Sequence, residues 1–274
     1  MRRFYDRNTS LFRRLGEGRI SIHRAVWGPG VRDRASAFHY VEERLLAFVP
    51  DVERPRVVDL GCGVGGSLLH LAARRGDLVA EGLTISDAQV EAAAGLMAES
   101  GLVERVRVRQ GDFLAPPDDL VGADLVFSIE AFVHGPDPAA YFRSAACLLR
   151  PGGLLAVCDD VLTPAGASPS PHARRRLDDF RSGWRVGSLV TVEEAVRLAA
   201  DAGLTVVSDD DLTPWLELGR PRDRVIRLLA TATRRVGPRG EYWRSLSGGD
   251  ALQRCLADGL VTYRLLVFRR EQDA

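Results

Sequence analysis

Residues 57 to 72 read "VVDLGCGVGGSLLHLA", and the reading of this stretch decides the fold. An apolar run of strand character ends in the glycines Gly61, Gly63, Gly65 and Gly66, then opens at once onto a segment with helical spacing of Leu68, Leu69 and Leu71. Gly61, Gly63 and Gly66 satisfy G-x-G-x-x-G, while Asp59, Gly61, Gly63 and Gly65 satisfy D-x-G-x-G-x-G. Either spacing describes a strand–turn–helix corner where backbone comes close to a ligand and a helix N-terminus faces it. The glycines alone do not choose the ligand.

Outward from this corner the chain alternates. "RVVDLG" is followed by a helix from Ser67 to Arg74, "LVAEGLTI" by a helix from Asp87 to Glu99, "VRVRQGDF" by a loop, "ADLVFSIE" by a helix from Pro138 to Leu149, and then comes "GGLLAVCD". Strand and helix in strict alternation predict an α/β fold, a Rossmann-like, doubly wound, mostly parallel sheet with crossover helices. Thr191 and Gly203 bracket a further helix as N-cap and stop, "LTVVSDDDL" reads as a strand, and "GLVTYRLLVFRR" as an antiparallel last strand near the sheet edge. Residues 1–50, with a helix predicted from Arg34 to Phe48, form an N-terminal helical cap, and 51–274 the main domain. Within the latter, residues 163–190 interrupt the alternation with a Pro/Ser/Gly-rich loop and an arginine-rich helix, placed as an inserted helical lid.

Composition narrows the partners. The 274 residues carry 37 basic and 37 acidic side chains, so no global field favours nucleic acid or an anionic membrane surface. All the basic residues are arginine, which reads as the codon bias of a GC-rich bacterial genome and excludes Schiff-base and P-loop lysine chemistry. Cys62, Cys147, Cys158 and Cys255 lack C-x-x-C spacing, and neither a leader-like segment nor an apolar run of about 18 residues is present, so a cytoplasmic protein is expected.

Two neighbours of the glycines separate a dinucleotide from a sulfonium ligand. Asp59 would set negative charge against a pyrophosphate, but favours the ammonium and sulfonium of S-adenosylmethionine. "GDF", with Asp112 and Phe113 at the end of the third strand, offers a carboxylate for an adenine amine and a ring to pack beside it. With these, "VVDLGCGVGG" through "LLRPGGLLAV" resembles the class I S-adenosylmethionine-dependent methyltransferases. The resemblance implies the cofactor S-adenosylmethionine, released as S-adenosylhomocysteine, on Asp59, Gly61, Gly63, Gly65, Asp112 and Phe113. Where that class usually has a ribose-binding acid, this chain has "EGLTISDAQ". Thr84, Ser86 and Gln89 in that run resemble the branch of cyclopropane-fatty-acid synthases, sterol methyltransferases and prenyl diphosphate C-methyltransferases, in which threonine and glutamine cover the ribose, and Glu81 reads as a strand residue.

"VFSIEAFVHGPDPAAYF", residues 126 to 142, starts at the crevice end of the fourth strand, and Glu130 and His134 lie four apart. The run resembles the E-x-x-x-H-x-x-D of tocopherol, sterol and small-molecule methyltransferases, which implies that Glu130 and His134 border the acceptor, while Asp137 caps the helix from Pro138. Asp159 falls where some sugar O-methyltransferases keep an aspartate working with the histidine. Residues 4 to 31 and 211 to 224 resemble acceptor-side segments of bacterial terpenoid, geranyl diphosphate-type C-methyltransferases. That resemblance implies methylation of a prenyl double bond, in a diphosphate or a prenylated natural product, through a carbocation bounded by aromatic faces such as Tyr5, Trp27, Phe132 and Trp215, with His23 beside the acceptor. O-methylation of a sugar or hydroxylated natural product, with His134 as base, is the alternative. Arg13, Arg14, Arg24, Arg174, Arg175 and Arg176 are candidates for a diphosphate, magnesium is expected only if the acceptor carries one, and no residue is assigned to a metal. The partners expected are a small prenyl or terpenoid acceptor, with no nucleic acid and no membrane, and a homo-oligomer is admitted but not demanded.

Overall fold

In a computed structural model of the chain, the structure describes residues 23–219 and 241–272, the side chains of 241–246 excepted. Seven strands form one sheet in the order β3-β2-β1-β4-β5-β7-β6. They are β1 (Arg56–Leu60), β2 (Val79–Thr84), β3 (Val106–Gln110), β4 (Ala123–Ile129), β5 (Leu149–Leu162), β6 (Leu204–Asp211) and β7 (Val261–Arg270). β1 to β5 pair in parallel, and β7 runs antiparallel between β5 and β6. The strand order reverses between β1, whose neighbour is β2, and β4. That switch point is where a parallel sheet leaves a crevice at its carboxyl ends.

The strands at this point are apolar throughout because helices cover both sheet faces. Val57, Val58, Leu60, Leu125, Val126 and Phe127 are all buried. A β5 residue and its β7 partner, Val157 and Leu266, continue the same core.

Crossover helices follow their predicted positions: Gly66–Arg74, Asp87–Ser100, Pro138–Leu148 and Val192–Ala200. Asp137 accepts a hydrogen bond from the Ala140 N–H, and Thr191 from that of Glu194, so both act as N-caps. The 34–48 segment differs from expectation. It forms two helices, Arg34–Phe38 and Tyr40–Leu46, because His39 leaves helical geometry (φ −100°, ψ 8°). β5 extends well past "GGLLAVCD" because β7 pairs with it as far as Leu162.

The 163–190 stretch contains helices Pro164–Ala167 and Pro171–Trp184. The second lies against helix Glu241–Ala257, which the periodicity did not predict. A Cβ on Gly248 would stand 2.8 Å from Gly183 Cα, so the two backbones meet at a pair of glycines. No helix of the described residues is long and apolar enough to cross a membrane.

Candidate functional site

The glycine turn carries the chain from β1 into helix Gly66–Arg74. Gly61, Gly63 and Gly65 hold φ of 101°, 56° and 81°, the left-handed region that side chains rarely adopt. At Gly61 a Cβ would fall on that of Ala131, so backbone must pass there without a side chain. The Gly61 and Cys62 N–H groups both donate to Leu83 O, at 2.9 and 3.0 Å, fixing the turn against β2. Asp59 ends β1 almost wholly buried, and its carboxylate accepts no hydrogen bond from any other described residue. Burial and the charge of Glu42 raise its pKa well above the ordinary carboxyl value, with His23 opposing. A buried acid of this kind fits a cationic group on a ligand.

β2 delivers Thr84, whose hydroxyl donates to Gln89 Oε1 at 2.6 Å and accepts from the Ser86 N–H. Ser86 is the N-cap of helix Asp87–Ser100, bonding the Gln89 N–H, so it shapes this corner from behind. Glu81 faces Arg109 at 3.3 Å, as a strand residue. Beyond β3, Asp112 Oδ1 accepts from the Leu114 N–H, and Phe113 packs edge-on to Tyr141.

At the end of β4, Glu130 has φ 53°, a strained conformation for a residue with a side chain. The strain turns the chain into the short 3-10 segment Phe132–His134. Glu130 Oε1 accepts from Arg24 N at 2.9 Å, Arg24 Nε at 3.0 Å and the Tyr263 hydroxyl at 3.1 Å. Burial would raise its pKa, but Arg24 and His23 outweigh burial and lower it, so the carboxylate is ionised. For His134 the balance runs the other way: burial lowers its pKa against Arg185 and Glu130, leaving a neutral imidazole.

The turn carrying His134 is gripped from residues 187 and 188. Both their N–H groups donate to Val133 O, and the Ser188 hydroxyl donates to Gly135 O at 2.6 Å.

The N-terminal part contributes a group that sequence reading missed. Glu42, 0% exposed, accepts from His23 at 2.7 Å and from the Ser67 hydroxyl at 3.0 Å. Glu42 is buried where helix Tyr40–Leu46 packs on helix Gly66–Arg74, a contact between distant segments.

These elements enclose a cavity of about 260 Å³. Of the predicted residues, Asp59, Gly61, Gly63, Thr84, Gln89, Asp112, Phe113, Glu130, His134 and His23 line it. Cys62, Ser67 and Trp184, not singled out beforehand, line it too. Six predicted residues among those described do not. Gly65 lies behind the turn, where a Cβ would press on Met97 and Val108, and Ser86 is fully buried as a cap. Phe132 is core, packed on Tyr141 and Phe142, so it offers no face to a ligand. Trp27 and Trp215 join through backbone, Trp27 N–H to Trp215 O at 2.8 Å, with Trp215 edge-on to Tyr40.

Asp159 sits beneath the wall, both oxygens taken by the N–H groups of Val133 and Asp160. That geometry makes it a brace for the His134 turn. His23, expected beside the acceptor, is locked to Glu42 next to Asp59. Arg24 is committed to Glu130 and, through both Nη atoms, to Asp160, so it is not available to a diphosphate. Arg176 pairs with Asp258. Tyr5, Arg13 and Arg14 lie outside the described residues. Among the described residues no group of three His, Cys, Asp or Glu side chains could hold a metal ion.

Residues 33–209 match the family model described as a methyltransferase domain. The chain is 30% identical to 24-methylenesterol C-methyltransferase 2 of Oryza sativa subsp. japonica, over 86% of this chain and 67% of that protein. It is 28% identical to ajmaline N-methyltransferase of Rauvolfia serpentina, over 97% and 96%. Among solved structures, geranyl diphosphate C-methyltransferase from Streptomyces coelicolor A3(2), with Mg2+, geranyl-S-thiolodiphosphate and S-adenosyl-L-homocysteine, superposes with a TM-score of 0.74 at 20% identity, covering 98% of this chain and 96% of that one.

Proposed function

The chain belongs to the class I S-adenosylmethionine-dependent methyltransferases, and we propose that it methylates carbon, at a prenyl double bond of a small terpenoid or prenylated acceptor. Bound S-adenosylmethionine supplies an electrophilic methyl group on a sulfonium. The chain's own residues supply the rest. Asp59, buried at the end of the cavity beside the glycine turn, suits the ammonium end of the cofactor, Thr84 and Gln89 the ribose, and Asp112 with Phe113 the adenine.

The observation that carries the reading is Glu130: a strained residue whose ionised carboxylate lines the cavity beside His134 and Trp184. An alkene that takes up a methyl group becomes a carbocation, which a fixed carboxylate stabilises by charge and then relieves of a proton. Glu130 and Asp160 share the one guanidinium of Arg24.

O-methylation remains the second reading because His134 is neutral, lines the cavity and is competent to take a hydroxyl proton. Incubation with [methyl-13C]-S-adenosylmethionine decides between them. The acceptors are geranyl, farnesyl and isopentenyl diphosphates, prenylated indoles and a set of hydroxylated natural products. A product whose labelled methyl is bonded to carbon supports the proposal; label found on oxygen alone overturns it.

A further inference from the structure

Arg24, Asp160, Tyr263 and Glu130 come from four separate parts of the chain and meet in one buried assembly. Asp160 in β5 stands opposite Tyr263 in the antiparallel register with β7, which brings both beside the end of β4. Arg24 lies over the Tyr263 ring at 4.0 Å from its centroid and forks onto Asp160, Nη1 to Oδ1 at 2.8 Å and Nη2 to Oδ2 at 2.9 Å. Its Nε and backbone N–H, with the Tyr263 hydroxyl, all converge on Glu130 Oε1. Oε2 accepts no hydrogen bond from any described residue, and the Glu130 side chain is 20% exposed at the cavity wall.

The division of labour between the two oxygens is the informative feature. One oxygen is anchored by three donors and the other is left to the cavity, the arrangement a protein uses to present a carboxylate rigidly. We propose that Arg24 and Tyr263 are positioning residues for Glu130: anchored through Oε1, the carboxylate presents Oε2 to the acceptor. Asp160 in turn positions Arg24. The inference rests on Glu130 acting at the acceptor, and its consequence is electrostatic. Glu130 is faced by Arg24 and His23 from the N-terminal segment, by Cys158, Asp159 and Asp160 from β5, by Tyr263 from β7 and by His134 from its own turn. Of these, Arg24 and His23 favour the charged carboxylate, and the Tyr263 hydroxyl bonds it directly. Burial and the two aspartates oppose it, so removing a donor lets the opposition prevail.

The test reads Glu130 itself. In protein carrying 13C-labelled glutamate carboxyls and bound to S-adenosylhomocysteine, the Glu130 resonance is assigned by its loss in E130Q. In the parent protein it is expected to titrate below the usual glutamate value of about 4.3. In Y263F, and in the R24Q/D160N variant, which removes one charge of each sign, its midpoint is expected to rise by about one pH unit or more. With an acceptor turned over by the parent protein, the acid limb of kcat moves upward by the same interval, and the rate recovers at higher pH. S-adenosylhomocysteine affinity stays within about twofold, a change of less than 0.5 kcal/mol.

An unmoved Glu130 midpoint in folded Y263F and R24Q/D160N overturns the inference. So does a kcat that falls by one factor at every pH, which is what a merely structural role produces. If E130Q keeps full activity, the underlying reading of Glu130 fails, and the positioning role fails with it. An inactive E130Q with unmoved midpoints counts against Arg24 and Tyr263 alone.

Discussion

His23 Nε2 and Glu42 Oε1 stand 2.7 Å apart in a buried pair beside the cavity, and the pair couples the N-terminal segment to the glycine corner through Ser67. Burial would push the His23 pKa down, but the charge and hydrogen bond of Glu42 outweigh burial and raise it from 6.5 to about 9. His23 lowers Glu42 in return, against burial. The histidine's contribution to stability is full below 6.5, its value in the unfolded chain, and is lost as the pH rises through about 9. That of Glu42 is full above 4.5 and is lost as the pH falls through its lowered folded value. The melting temperature is therefore expected to decline between pH 6.5 and 9, and His23→Gln should flatten the decline; calorimetric scans over that range measure both.

Removing one partner strands the other. Glu42→Gln is expected to cost about 3–5 kcal/mol, because a protonated imidazole would lose its counter-charge in a buried site. Urea unfolding checks the figure, and a loss below about 1 kcal/mol would mean that the imidazole simply gives up its proton.

Gly61→Ala tests the turn itself. The new Cβ would be held at φ 101° on top of Ala131, a conformation costing on the order of 1–3 kcal/mol, and relief must come from the turn that meets the cofactor. Calorimetry should show S-adenosylmethionine binding weakened at least about tenfold, equivalent to 1.4 kcal/mol.

Gly187→Ala tests the grip on the His134 turn. Its Cβ would stand 2.5 Å from Gly135 O, so the turn must move. The expected cost in stability is about 1–3 kcal/mol. The kinetic loss should fall on kcat/KM for the acceptor while S-adenosylmethionine affinity is retained.

Cysteine labelling offers a check on the cavity wall. Cys62 lines it, but burial and the charge of Asp59 push its thiol well above the usual range, whereas Cys147 is exposed on helix Pro138–Leu148. Iodoacetamide at neutral pH should modify Cys147 first, with Cys62 slow, as peptide mass spectrometry will show.

Much of this was legible in the sequence because it is local. The strand–glycine–helix corner at 57–72, the N-caps Asp137 and Thr191, and the antiparallel last strand all follow from short patterns, and the structure contains each of them. What escaped depends on contacts between distant segments. Nothing near Glu42 tells that a helical glutamate will be buried beneath His23. Nothing near Arg24 tells that Asp160 and Tyr263 will claim it, since their register is set only when β7 pairs with β5. Helix Glu241–Ala257, with glycines at 248 and 249, lacks a clean apolar stripe because its crossing with Pro171–Trp184 calls for small residues instead. Phe132 and Asp159 were displaced for a related reason: the motif places them beside the site in sequence, but the turn sends one ring into the core and one carboxylate onto backbone N–H groups.

The most direct test of the account compares Glu130→Gln with His134→Ala, measuring transfer of labelled methyl to a prenyl acceptor and S-adenosylmethionine affinity in parallel. If Glu130 stabilises a carbocation, Glu130→Gln loses at least about 10²-fold in kcat while cofactor affinity holds, and His134→Ala loses much less. A Glu130→Gln enzyme that still transfers methyl at nearly the parent rate, with His134→Ala inactive, would contradict it.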